Sequence, residues 1–248
     1  MSAAPLGRSV AAQVAVELGL TARRGENLLA LAAIPTVVLL FFGSTSLVDV
    51  PGDAPVDYLL PGALALAVVA AGLVNLGIAT AYERSYGVLR RLGASPLGRP
   101  GLIAAKIATI VVVVAVQTIA LVAVAWLALA WRPAEGASLV LLVATLVLGA
   151  MTMTSLGLLL AGTLRAEATL ALANGLFIAA VAIGGVVVPT TALPPTLAVV
   201  ADLLPFAALS GALRMALGTA PAEMGPFVVL TIWAALATII ASRRFRWD

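Results

Sequence analysis

A chain of 248 residues that is 62% hydrophobic and only 10% charged departs far from soluble domains, where roughly 25% of residues carry charge. A soluble fold of this length keeps much of its surface in water and cannot hide so much apolar area, so the composition demands a bilayer. The balance of 14 basic against 11 acidic residues gives no reason to expect a nucleic-acid partner, and the absence of cysteine and histidine removes disulfides, thiolate nucleophiles, imidazole bases and the usual zinc ligands.

Met1 to Arg24 has neither the apolar core nor the cleavage site of a secretory signal. Arg8–Gly25 reads instead as a short helix on the membrane surface. Gln13, Glu17 and Arg24 share one stripe and Val10, Val14 and Leu18 a neighbouring one, although Val16 and Leu20 interrupt the pattern. An irregular basic tail is the alternative.

Crossing a bilayer takes roughly 20 predominantly apolar residues. Six segments qualify: Asn27–Gly43, Tyr58–Ala81, Ile107–Trp131, Ser138–Leu164, Thr169–Val188 and Pro226–Ala241, none containing Asp, Glu, Lys or Arg. Pro35 and Pro61 kink or start their helices rather than forbid them.

Between spans two and three, Tyr82–Lys106 is longer than a simple connection requires. A helix is expected over Glu83–Leu92, followed by breaks at Gly93, Ser95-Pro96 and Arg99-Pro100. Val88, Leu89 and Leu92 give it an apolar side, while Arg84, Arg90 and Arg91 supply charge. This mixture suits docking of another protein; anchoring on anionic lipid needs the charge but not the alternation.

Pro189–Ala222, between spans five and six, is too apolar for a solvated loop, yet Pro194, Pro195, Pro205 and Asp202 interrupt it. Two short helices dipping into the outer leaflet, Thr196–Leu204 and Phe206–Leu217, fit the pattern. Neither reaches the roughly 17 residues needed to span.

Orientation follows from the basic residues, since Lys and Arg collect on the cytoplasmic side. Twelve of the 14 fall on the side of the termini and of Tyr82–Lys106, leaving only Arg132 and Arg214 opposite. Asp49, Asp53, Asp57, Glu135, Asp202 and Glu223 collect on that opposite side, and Trp126, Trp131 and Trp247 suit the interfaces. Both termini are therefore expected in the cytoplasm.

The spans hold no nucleophile–base pair, no metal ligands and no ionisable relay, and the chain has no GxxxxGK[ST] loop for ATP. Their polar residues are Asn75, Gln117, Thr118, Thr145, Thr152, Thr154, Ser155 and Asn174, side chains that most often bond across packed helices. Gly72, Gly77, Gly157, Gly162, Gly175, Gly184 and Gly185 are expected where helices approach closely.

Two stretches carry a resemblance. Leu60–Lys106 resembles the ABC type-2 permease family in its Pro-Gly near the start of span two (Pro61, Gly62), its E-R-x-x-G-x-L-x-x-L segment (Glu83, Arg84, Gly87, Leu89, Leu92) and its Ser-Pro turn (Ser95, Pro96). Gly184–Leu217 is similar to the family's outer segment through Gly185, Pro189, Leu193, Pro194, Pro205 and Arg214, with Leu204 standing where the family often has Asn.

The resemblance implies an all-α integral membrane protein of six spans forming one permease domain over 1–248. Residues 1–26 would be a cytoplasmic connecting helix, 27–241 the spans and 242–248 a tail. It implies a coupling helix after span two, with Glu83, Arg84, Gly87, Leu89, Arg91 and Leu92 meeting a separate cytoplasmic ABC ATPase that binds ATP and Mg. It implies a second permease copy or homologue, spans two and five along the path, and an outer gate containing Pro189, Pro194, Pro205 and Arg214. Asn75, Asn174 and Phe177 are the candidates to face the pathway. Uncharged spans suit a small hydrophobic or amphipathic cargo leaving a bacterial cell membrane, with no enzyme or cofactor in this chain. A polysaccharide-export permease, a non-transporting scaffold or sensor, and an ion-driven carrier are the rival readings.

Overall fold

The computed structural model describes residues 6–23, 25–45, 54–93 and 97–245, with the backbone alone over 25–31. Expectations resting on Arg24, Asp49, Asp53, Ser95, Pro96, Arg246 and Trp247 lie outside the described residues.

All regular structure among the described residues is helical. In chain order the helices are α1 (Leu6–Arg23), α2 (Gly25–Gly43), α3 (Pro55–Val69), a π-helical turn (Ala70–Asn75), α4 (Leu76–Ser85) and α5 (Val88–Gly93). There follow α6 (Gly98–Ala128), α7 (Leu139–Thr163), α8 (Ala166–Ile183), a 3-10 turn (Thr190–Ala192), α9 (Pro195–Asp202), α10 (Pro205–Ala216) and α11 (Gly225–Arg244). Five helices are long and apolar enough to cross a membrane: the continuous run Pro55–Ser85, α6, α7, α8 and α11. They coincide with expected spans two to six, and the expected first span falls on α2, of 19 residues. The chain is an all-α integral membrane protein.

Several boundaries move, each for a local reason. Span two runs on to Ser85 because nothing before Gly87 breaks the helix. Span three begins at Gly98 rather than Ile107, which places Lys106 inside the helix. Span five closes at Ile183 rather than Val188, because Gly184 caps α8 and Gly185 turns the chain with a φ of +66°. The expected outer helices shift by a residue or so to α9 and α10, since Pro195 and Pro205 occupy first-turn positions where a missing N–H costs nothing.

Span two is the axis of the fold. Nearly all of its residues from Val56 to Leu73 are buried, packed by α2, α6, α7 and α10. Its crossing with α7 is glycine on glycine. A Cβ on Gly157 would lie 2.6 Å from the Gly72 carbonyl oxygen, and one on Gly77 would lie 3.0 Å from the Gly157 Cα. Small residues admit such backbone contact where lipid supplies no hydrophobic drive between helices. The π turn falls at this crossing, where a Cβ on Gly72 would be 2.9 Å from the Thr154 amide nitrogen. On its other side α7 packs on α11, with a hydrogen bond between the Ser155 and Thr238 hydroxyls at 2.9 Å.

The α9–α10 pair bends by 77°. The Trp233 indole N–H donates to the Leu203 carbonyl in this bend at 2.9 Å. Trp233 lies eight residues into α11, so the bend sits about 12 Å along that helix from its start. From there α10 returns until its Ala216 carbonyl accepts from the Ser138 amide at 2.8 Å, at the start of α7. The segment therefore runs to the bend beside α11 and returns along α10, and Trp233 gives the carbonyl in the bend a donor.

Candidate functional site

The Arg-rich end of span two is built around a glycine turn. The Gly87 amide donates to the Arg84 carbonyl at 2.9 Å, and Gly87 takes a φ of +73°, a left-handed conformation that only glycine adopts cheaply. The turn ends α4 and starts α5, so the expected single helix over Glu83–Leu92 is in fact two. Glu83 and Arg84 belong to the last turn of span two, while Leu89, Arg91 and Leu92 lie on the short helix.

The two parts face different ways. Leu89 is fully buried and belongs to the main hydrophobic core, pinning α5 to the bundle. Tyr86 at 77% exposure, Val88 at 43%, and the exposed Arg90 and Arg91 point away from it. The Tyr82 and Tyr86 rings stack at 6.2 Å. Arg84 turns inward, and one of its Nη atoms donates to the Leu164 carbonyl at 2.6 Å, capping the end of α7 where the helix dipole is negative.

A buried ion-pair triad sits beside this turn. Lys106 is 1% exposed, and its Nζ lies 3.0 Å from both Glu17 Oε1 on α1 and Glu83 Oε2 on α4. The Gln13 side-chain amide also donates to Glu17 Oε1 at 3.0 Å. By sequence alone, Lys106 closes the cytoplasmic stretch Tyr82–Lys106, before the apolar run of span three. Ile103, Ile107 and Ile110 around it were the available signal that this lysine would be buried and need acidic partners. The triad ties α1, span two and α6 together where span two meets the glycine turn.

At the opposite end, Arg214 on α10 holds the turn that follows α8. Its guanidinium lies 3.8 Å from the centroid of the Tyr58 ring, donates to the Gly185 carbonyl, and reaches Ser210 Oγ at 3.4 Å. Tyr58 Oη donates to the same carbonyl at 2.9 Å, and Ser210 Oγ to that of Gly184 at 2.7 Å. Arg214 makes no ion pair with a carboxylate among the described residues. Among the gate candidates, Pro189 precedes the 3-10 turn, exposed Pro194 precedes α9, and buried Pro205 opens α10. Arg214 is the member that bonds α10 to the α8 turn and to span two.

The pathway candidates are not gathered in one place. Asn75, at the end of the π turn, lines a cleft with α1 and α6 to which α8 contributes nothing. Asn174 is exposed on α8, its amide donating to the Leu170 carbonyl at 2.9 Å. Phe177 is half-buried against Leu66, Val186 and Val187. The amide of buried Gln117 has no hydrogen-bond partner among the described residues.

Apolar spans bundled around span two, with an exposed glycine turn at one end and a bent helix pair at the other, define a polytopic helical membrane protein. Residues 14–217 match the family described as ABC-2 type transporter, and the chain belongs to that family. Neither a curated protein nor a solved structure matches the chain. The family is one of membrane transport subunits without an ATPase of their own.

Proposed function

We propose that this chain is the membrane-spanning half of a bacterial ABC exporter, moving a hydrophobic or amphipathic compound across the cell membrane. ATP and Mg would be bound and ATP hydrolysed by a separate cytoplasmic subunit. The observation that carries the proposal is the glycine turn: a short exposed surface of Tyr86, Val88, Arg90 and Arg91, fixed by buried Leu89 to a helix that is the axis of the bundle. Force applied there by a closing ATPase reaches the whole of span two as a rigid-body movement.

In this reading the Arg-rich end is cytoplasmic, on the bias of twelve of the 14 basic residues toward it. Asn174 and Phe177 on α8 would border the route, with a second permease copy or homologue closing it. Arg214, Pro189, Pro194 and Pro205 would form the outer gate. The uncharged spans favour a cargo without strong fixed charge.

Co-expression with a cytoplasmic ABC ATPase subunit from the same genome, followed by purification, tests the assignment. The two chains should co-purify, and cargo should stimulate ATP hydrolysis. Gly87→Ala imposes left-handed strain of roughly 1–2 kcal/mol without a clash, since nothing lies within 4 Å of the added methyl position. That variant and Arg91→Ala, on the exposed side of α5, should insert normally and retain ATPase binding, but move less cargo per ATP hydrolysed. Unchanged transport in both would remove the coupling role.

A further inference from the structure

A cleft lies where α1, span two and α6 diverge, with a volume of about 60 Å³. A single water needs roughly 10–15 Å³ of such space, so the cleft has room for an ammonium group and the carbons next to it. Its polar end is the triad of Glu17, Glu83 and Lys106; Leu20, Leu76 and Ile110 form apolar wall. Among the described lining residues no other side chain is charged.

The triad is not neutral by itself. Each carboxylate gives one oxygen to Lys106, leaving Glu17 Oε2 and Glu83 Oε1 outside the ion pairs, with side chains 13% and 27% exposed. Two carboxylates against one ammonium leave a residual negative charge next to apolar wall, where an uncompensated charge is costly. The lining hydroxyls are already used: Thr21 Oγ1 donates to the Glu17 carbonyl at 2.8 Å and Thr109 Oγ1 to that of Ala105 at 2.9 Å. Asn75 is different. Its amide lines the same cleft with no partner recorded among the described residues.

We infer that this cleft binds the primary-ammonium head of an amphipathic amine. Three N–H donors would meet the free Glu17 and Glu83 oxygens and the Asn75 carbonyl oxygen, completing an alternating charge quartet with Lys106. The apolar tail would lie along Leu20, Leu76 and Ile110. A quaternary ammonium lacks the donors, and an anionic head would face the residual negative charge. The site does not include α8, so it is separate from the route proposed along that helix. It also stands independently of the transport reading.

The chemistry has two sources, an aminophospholipid of the surrounding leaflet or a free amphipathic amine. The test uses the purified full chain with octylamine, octyltrimethylammonium and octanol at neutral pH, read as saturable shifts in thermal midpoint. In parallel, native mass spectrometry follows chain released from nanodiscs of phosphatidylcholine with and without phosphatidylethanolamine. Octylamine should bind saturably, and both control compounds more weakly. Glu17→Gln and Asn75→Leu should each weaken it about tenfold or more, the scale of one lost charge-assisted hydrogen bond. Thr231→Val, on the exposed face of α11 away from the cleft and the α8 route, should bind like the parent. Asn75→Leu leaves the triad intact, so it reads the site even if Glu17→Gln unfolds. Selective retention of phosphatidylethanolamine, lost in the variants, identifies the bilayer as source. Octylamine binding without lipid selectivity identifies a free amine. Equal response to octanol, or octylamine binding untouched in both variants, overturns the inference.

Discussion

Arg214 and Arg132 are the two arginines at the sparsely basic end, and each lies over an aromatic ring: Arg132 at 5.4 Å from Trp126 and Arg214 at 3.8 Å from Tyr58. Neither makes an ion pair with a carboxylate among the described residues, so ring faces and backbone carbonyls take that role. A guanidinium does this better than an ammonium because its planar fork can stack on a ring and bond sideways at once. Arg214→Lys should therefore destabilise the folded chain by about 1–3 kcal/mol through loss of that geometry. Tyr58→Leu should cost less once Arg214 is already lysine. Thermal unfolding of the parent, the two single variants and the double variant checks this, and strictly additive effects would mean that ring and guanidinium do not act together. Composition could show that a lone arginine sits in the outer segment. It could not show that Tyr58, on another helix and far away in sequence, provides its platform.

Two of the expected glycine contacts make opposite predictions at the scale of helices. Gly157 is pressed on Gly72 and Gly77, so even a methyl group would meet backbone at 2.6 Å and force span two off α7. Gly157→Ala should lower the thermal midpoint and the folded yield. Gly175, on α8, has nothing within 4 Å, so Gly175→Ala should be neutral to stabilising by about 0.5–1 kcal/mol through helix propensity alone. Should Gly175→Ala instead disrupt association of two permease copies, the close approach read from the sequence lies between chains. The elements were legible where local chemistry sets them: long apolar runs gave the spans, and Pro195 and Pro205 gave the starts of the outer helices. Three features were not. The π turn depends on backbone contact with α7, the burial of Lys106 depends on acids 89 and 23 positions away, and the depth of the α9–α10 bend depends on Trp233 reaching across from α11.

At the scale of the molecule, the functional reading needs one end of the bundle to face the cytoplasm. The exposed turn at Arg90 and the lysine triad lie toward the Arg-rich end, whereas the re-entrant segment and Arg214 lie toward the other. Reversing the chain in the membrane would put the docking turn where no ATP is found and void the coupling argument, even with every internal contact unchanged. The orientation can be tested cleanly because the chain has no cysteine, so any introduced thiol is the only one. Arg90, Glu135 and Glu223 are exposed, and Arg243 sits in the last turn of α11. With a membrane-impermeant maleimide, Glu135→Cys and Glu223→Cys should label once the outer face of the membrane is accessible. Arg90→Cys and Arg243→Cys should label only after the inner face is opened. The opposite pattern would leave the fold standing while removing the exporter assignment, since the surface proposed to receive the motor would then face away from it.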